Sequence, residues 1–274
     1  MSRMPSLLDI KKATVYRGAT PVFDGLTLEI AEGCHTVILG PNGSGKTTLL
    51  KLLTRELYPV PTEESHVRLF GQDNWNVWEL RARLGLVSSD LQQDYAPWAT
   101  GLEVVLSGFR ASNGVWPHQE FSDAETQRSA ALLKKLGVPR LADRPYGAMS
   151  TGQQRRLLLG RALVHDPGTL ILDEPTTGLD LPAAFQYLDV IRDLIRTGKT
   201  VLLATHHIHE IPPEIERVVL LKDGKIFADG ARSTVLTSRT LSRLFEAPIE
   251  LVQMNGCLQA FPADRTNSGA RTIG

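Results

Sequence analysis

The chain has 274 residues, is 42% hydrophobic, and balances 30 Lys+Arg against 30 Asp+Glu. That size and apolar content suit one large domain or two small ones around a real core and exclude wholesale disorder. A formal net charge of zero argues against broad nucleic-acid binding, which draws on a basic excess, although a local basic patch is compatible with it. No apolar run approaches the roughly 20 residues of a membrane-spanning helix. The start, MSRMPSLLDIKKATVYRG, lacks the apolar segment and cleavage site of a secretory signal. Cys34 and Cys257 lie far apart in dissimilar contexts, and Cys34 reads as a packed free thiol ahead of a strand. A reducing cytoplasm is the expectation.

In chain order, residues 7–39 read as a β-rich opening. FDGLTLEI alternates Leu26, Leu28 and Ile30 with polar neighbours, the pattern of a half-buried antiparallel strand. HTVILG is a short apolar strand that runs into a glycine loop, KTTLLKLLTREL the helix behind it, and HVRLFGQD another strand and turn. From about 75 to 145 the texture turns helical. ETQRSAALLKKLGV places Ala130, Leu133 and Leu136 at apolar positions and stops at Gly137. Trp75, Trp78, Trp98 and Trp116 all fall at or near this stretch. GTLILDEP and TVLLAT restore the strand pattern on either side of a helix at about 181–196. RVVLLKDGKIFADG reads as a hairpin through Asp223-Gly224.

Short apolar strands alternating with helices predict an α/β fold with a mainly parallel, covered sheet. An N-terminal antiparallel β subdomain precedes it, and a helical subdomain at about 75–165 is inserted. Residues 7–235 form the unit and 236–274 an extension, whose polar end, PADRTNSGARTIG, is expected to be mobile. There is no internal repeat, so each chain holds one such unit.

GPNGSGKT, comprising Gly40, Pro41, Asn42, Gly43, Ser44, Gly45, Lys46 and Thr47, fits G-x-x-x-x-G-K-[ST] between a strand and a helix. Glycines let backbone N–H groups face phosphate oxygens, and the helix N-terminus adds partial positive charge. Lys46 then neutralises the β- and γ-phosphates, Thr47 offers a hydroxyl to Mg²⁺, and Thr48 is a neighbouring donor. This predicts a P-loop NTPase core. TLILDEP supplies the acidic half: Asp173 ends an apolar strand, placed to hold the Mg²⁺ hydration shell. Glu174 follows, free to point elsewhere and polarise an attacking water. Taken alone, two carboxylates at a strand end are ordinary; beside a phosphate loop they are not.

YGAMSTGQQRRLLLGRAL narrows the class. Ser150 and Gln153 make a capping box, which by itself means a well-started helix. Gly152 sits in the first turn, where it costs about 1 kcal/mol relative to alanine, so close approach of another group to that backbone is implied.

The order of these motifs resembles the ATP-binding cassette (ABC) ATPase domain over about residues 7–235. The resemblance implies that Ser150, Gly152 and Gln153 of one protomer close over the γ-phosphate held by another. The chain departs from the family pattern at Thr151, usually glycine, and at Met149, usually leucine. In TTGLD, Asp180 takes the place of the family's D-loop aspartate, which lies between the paired protomers, and also suits a helix cap. In LLATHHIHE, His206 takes the place of the switch histidine that touches the γ-phosphate. His206, His207, His209 and Glu210 together also suggest a metal site. That reading is set aside because no second cluster with ligand spacing accompanies them. Tyr16 matches the aromatic that stacks on adenine, where a lone strand-end tyrosine is otherwise packing. The glutamine that normally contacts Mg²⁺ is missing. LGLVSSDLQQDY has Ser88 or Ser89 there, so either Ser89 bonds the metal shell through water or Gln92 or Gln93 supplies the amide. A similar serine occurs in the molybdenum-transport-like branch.

The resemblance therefore implies an ATP hydrolase using ATP and Mg²⁺, paired with itself or with a paralogous ATPase chain. It implies a separate transmembrane subunit and a position on the cytoplasmic, inner face of the cell membrane. TGLEVVLSGFRASNGVW resembles the helical region of importer-type cassettes, in which the surface near the loop after residue 87 receives a short helix from the membrane partner. The tryptophans flank that surface in sequence. The competing reading is a soluble ABC mechanoenzyme acting on a cytosolic assembly or on DNA. Against it stand the lack of a long coiled-coil insertion and of a second ATPase domain. MSTGQQ and the absence of an N-K-x-D motif argue against a P-loop kinase or GTPase.

Overall fold

The computed structural model describes residues 5–263. The expectation of a mobile end falls almost wholly on 264–274, outside the described residues.

Strands β1 (Ser6–Arg17) and β2 (Thr20–Ala31) pair antiparallel, with Leu8 opposite Ile30 and Ile10 opposite Leu28, as the alternation predicts. β3 (Thr36–Leu39), buried at every position, leads through the glycine loop into α1 (Lys46–Leu53). β4 (His66–Leu69) returns to pair with β1, completing a sheet ordered β2-β1-β4.

The next stretch holds α2 (Val77–Arg83), β5 (Leu84–Val87), α3 (Ser89–Gln93), α4 (Gly101–Leu106), α5 (Asp123–Lys135) and α6 (Thr151–Ala162). Capping boxes start α4, α5 and α6, at Thr100–Glu103, Ser122–Glu125 and Ser150–Gln153. The interval expected to be a helical insertion is interrupted: β5 pairs in parallel with the main sheet, Leu84 opposite Thr169 and Val87 opposite Leu172. Helical structure set apart from that sheet therefore begins only after residue 87.

β6 (Thr169–Asp173), α7 (Leu181–Arg196), β7 (Thr200–Thr205), β8 (Arg217–Lys222) and β9 (Lys225–Ala231) complete the central sheet, ordered β5-β6-β7-β3-β8-β9. All neighbours are parallel except β8 and β9, which form the expected hairpin. Its faces bury alternate residues of the same strand. Val37 and Leu39 join one core with Leu157 of α6 and Ile191 of α7, while Ile38 joins the other with Leu49 of α1 and Leu28 of β2.

Beyond α8 (Arg232–Val235), α9 (Ser238–Phe245) and the hairpin of β10 (Ile249–Met254) and β11 (Cys257–Pro262) form a further element. Asn255 and Gly256, both at positive φ, make the turn. Leu241, Leu244 and Leu258 enter the same core as Leu220 of β8, so this segment is packed against the sheet.

Candidate functional site

Because β3, β6 and β7 are parallel and in register, their carboxyl ends meet at one edge: Leu39 lies opposite Thr205, and Asp173 opposite Ala204. Open α/β sheets bind ligands outside such ends. The phosphate loop, Asp173-Glu174 and His206 all emerge there.

Gly40 opens the loop where no side chain fits; an added Cβ would sit 2.1 Å from the Leu221 carbonyl oxygen. Gly45, at φ +107, precedes α1 against Phe23. The Lys46 ammonium is buried and donates to the carbonyls of Gly40 (2.8 Å) and Pro41 (3.1 Å), with Glu174 Oε1 at 3.8 Å. Burial holds its pKa down, against the pull of Glu174 and Asp173. Thr47 is exposed and donates a long, 3.5 Å hydrogen bond to Asp173 Oδ2, whereas Thr48 is buried. Ser44 Oγ and Asp173 Oδ1 are buried without a hydrogen-bond partner among the described residues. Such atoms suit a loop built around an anion and its cation.

Asp173 is pushed up to about 6, first by burial and then by the neighbouring Glu174 charge, with Lys46 opposing. A carboxylate raised above its unfolded value binds more protons when folded. Its ionisation therefore costs stability above the folded pKa, and that cost disappears as pH falls towards the unfolded value. Asp173→Asn should raise the stability of the nucleotide-free protein by on the order of 2 kcal/mol at pH 7.5. The gain should shrink between about pH 6 and pH 4. Urea denaturation across that range reads both; a loss of stability at pH 7.5 would contradict the assignment.

Glu174 adopts a left-handed φ of +49°, fixed by its N–H donating to the Ala204 carbonyl at 2.9 Å. The turn of the chain separates the two carboxylates. Asp173 faces Thr47, and Glu174 Oε1 accepts from His206 Nδ1 at 2.7 Å. Thr177 Oγ1 lies 3.4 Å from the other oxygen of Glu174. Glu210 does different work from its histidine neighbours. Buried completely, it accepts from Thr176 N–H (3.0 Å) and from the hydroxyls of Thr176 and Thr205. It ties the chain after β6 to the end of β7, a role that sequence reasoning missed because Thr176 lies 34 residues earlier, in the turn after β6.

Other predicted residues sit away from this cluster. Tyr16 is half-exposed at the end of β1, opposite Pro21. Ser150 and Gln153 bond each other: Gln153 N–H donates to Ser150 Oγ (3.3 Å) and Ser150 N–H to Gln153 Oε1 (3.1 Å). Ser150 is exposed. An added Cβ at Gly152 would lie 3.1 Å from Ala183 Cβ, so close packing on α7 of the same chain already favours a small residue there. Thr151 Cγ2 faces Gly178. Asp180 caps α7 by accepting from Ala183 N–H at 2.9 Å.

The residues at the missing-glutamine position divide. Ser89 accepts from Arg155 Nη2 (2.9 Å), and Gln92 donates to Gln154 Oε1 (2.8 Å), so both turn towards α6. Ser88 caps α3 and lines a small cavity of about 40 Å³ together with Thr47, Lys51, Asp90 and Asp173. Among the tryptophans, Trp75 packs edge-on against Phe70 and donates to the Leu69 carbonyl. Trp78, Trp98 and Trp116 are 60%, 79% and 53% exposed.

Residues 23–177 match the family model described as ABC transporter. The chain is 36% identical over 250 residues to "Uncharacterized ABC transporter ATP-binding protein YlmA" of Bacillus subtilis, covering 90% of this chain and 93% of that one. It is 32% identical over 256 residues to "Hemin import ATP-binding protein HmuV" of Streptomyces coelicolor, covering 93% and 85%. A dimeric post-hydrolysis structure of the ATP-binding cassette MJ0796, bound to ADP and Pi, is similar with a TM-score of 0.67. That protein is 28% identical, over 82% of this chain and 98% of its own. With its phosphate loop, acidic strand end and histidine gathered at one sheet edge, the chain belongs to the ABC transporter family and is an ATP-hydrolysing, ATP-binding subunit of it.

Proposed function

We propose that this chain pairs with a second copy or a paralogue around two Mg-ATP and drives an importer whose membrane-spanning helices lie on a separate polypeptide. Lys46 exchanges two loop carbonyls for β- and γ-phosphate oxygens, trading neutral acceptors for charged ones. The adenine stacks on Tyr16, whose exposed ring is accessible for it. Thr47, Asp173 and Ser88 are the residues that would hold Mg²⁺, which when bound neutralises phosphate charge. Glu174 polarises the attacking water, and His206 orients it through the 2.7 Å hydrogen bond. The exposed, capped N-terminus of α6, with Ser150, Gly152 and Gln153, closes over the partner's γ-phosphate, and Asp180 faces the same interface. ATP stabilises the closed pair because it binds that state better, and hydrolysis removes the bridging phosphate.

The observation that carries the membrane-partner reading is a cleft of about 230 Å³ immediately around residue 87. Leu80, Arg81, Ser88, Leu91, Gly108 and Asn113 are among its lining. It lies where the resemblance places the partner's short helix, and it is lined partly by α2, which carries the exposed Trp78. Among the described residues no helix is long and apolar enough to cross a membrane, which is compatible with spanning helices on a separate polypeptide. The import function named for the Streptomyces relative supports the direction. On this reading the chain works at the cytoplasmic face of the membrane.

The test is isolation of the tagged chain from its own cells in mild detergent, with copurifying proteins identified by mass spectrometry. A stoichiometric multi-span protein, lost when Leu91 in the cleft is changed to Asp, is the expected result. A stoichiometric soluble partner, with no membrane protein in repeated preparations, would replace the transporter reading by a cytosolic ABC machine.

A further inference from the structure

The histidine cluster gains in the structure what it lacked in sequence. The His206 and His207 rings lie tilted by 40° with centroids 3.8 Å apart, and the His209 ring centroid is 5.2 Å from that of His207. From the adjacent strand end, 32 residues earlier, comes Glu174. One ligand atom from each of Glu174, His206 and His207 lies within 4.8 Å of the other two. A carboxylate with two imidazoles suits the borderline ions Zn²⁺ and Co²⁺ and is poorly matched to Mg²⁺, which prefers an all-oxygen octahedron.

The backbones that carry these ligands are held independently of any ion. Glu174 N–H donates to the Ala204 carbonyl, and His207 N–H donates to Thr205 Oγ1 at 2.9 Å. The Glu210 carboxylate ties Thr176 to Thr205 underneath. The side chains themselves are reachable, with 18% of Glu174 and 29% of His206 exposed. Tetrahedral donors about 2.0–2.1 Å from a zinc ion lie closer together than the widest spacing here. Ion capture therefore needs side-chain rotation, including opening of the Glu174–His206 hydrogen bond.

We infer that Glu174, His206 and His207 form a binding site for a divalent transition-metal ion such as Zn²⁺ or Co²⁺, and that its occupation blocks ATP hydrolysis. The ion takes three protein donors and leaves a fourth position for water. The block follows because the same carboxylate and imidazole are the ones assigned above to polarising water. The inhibitory half rests on that assignment, whereas the binding half rests on geometry alone.

The experiment uses the full chain, stripped with chelator and free of nucleotide. Co²⁺ binding is followed by its visible absorption, Zn²⁺ binding by competition with a chromophoric chelator, and ATPase activity is measured in excess Mg²⁺ with and without Zn²⁺. Wild type should bind one Co²⁺ with the intense absorption of a tetrahedral site, release it to Zn²⁺, and lose ATPase activity as Zn²⁺ binds. His207→Ala should keep basal ATPase activity, weaken Zn²⁺ binding by more than the roughly 10–100-fold that loss of a ligand's hydrogen-bond partner costs, and escape inhibition over the same range. His207→Gln supplies a second variant if the alanine is poorly folded, because the absorption is read without turnover. Absence of stoichiometric binding to wild type, or unchanged binding and inhibition in folded His207 variants, overturns the site. Binding that His207→Ala abolishes, but that leaves wild-type hydrolysis intact, overturns the inhibitory half and counts against Glu174 as the water-polarising group.

Discussion

Glu174→Gln should bind ATP about as well as wild type and hydrolyse it about 10²–10⁴-fold more slowly, the usual contribution of a positioned general base. The substitution is nearly isosteric, and an amide oxygen still accepts from His206 Nδ1, which now lies 2.7 Å from Oε1. The backbone at φ +49° is unaffected by a change at the end of the side chain. What is lost is the negative charge that polarises water. Lys46, 3.8 Å away, also loses a competing anion, so phosphate binding should not weaken. The variant should accumulate as an ATP-dependent pair on size exclusion and remain single with ADP. Near wild-type turnover, or loss of hydrolysis without ATP-dependent pairing, would count against the assignment.

Gly40→Ala is the other large effect, and it arises from packing. The added methyl would lie 2.1 Å from the Leu221 carbonyl oxygen and 2.7 Å from Ser44 Oγ. That carbonyl cannot withdraw cheaply, because β8 is locked to β3, with Leu220 opposite Leu39. Either the ladder or the loop must move, at an expected cost of about 3 kcal/mol or more, at the upper end of overpacking effects. Any folded fraction should also lose ATP binding, since the Gly40 carbonyl receives the Lys46 ammonium and fixes where it waits. Gly43→Ala is the control. It has open space within 4 Å but a φ of +80°, so backbone strain alone should cost about 1 kcal/mol. Urea denaturation with nucleotide titration separates the two; equal costs would show that the clash at Gly40 is relieved by some cheap movement.

The C-terminal hairpin carries a signal that is legible in the sequence at its turn and faint along its strands. Asn255-Gly256 between strand-like runs is a turn of the same kind as Asp223-Gly224, and both hairpins form. Its strands are mostly exposed, so they lack the long apolar run that marks β6 and β7. The division of Ser88 from Ser89 and Gln92 is not readable in that way. One residue's displacement around a helix start sends Ser88 towards Thr47 and Asp173, and Ser89 towards Arg155.

By itself the sequence determined whatever depends on neighbours in the chain. The glycine-lysine loop between strand and helix, the caps at Ser150 and Asp180, the turn at Asp223-Gly224 and the acidic strand end follow from local backbone geometry and short-range hydrogen bonds. Only the tertiary structure decided which strand ends stand together. Leu39, Asp173 and Thr205 meet because β6, β7 and β3 adopt one parallel register, set by burying alternate side chains in two different cores. The Glu174–His206 hydrogen bond, the Glu210 brace and the grouping of Glu174 with two histidines all depend on that register. Packing on both faces of a sheet is a property of distant segments acting at once, and no short window of sequence contains it.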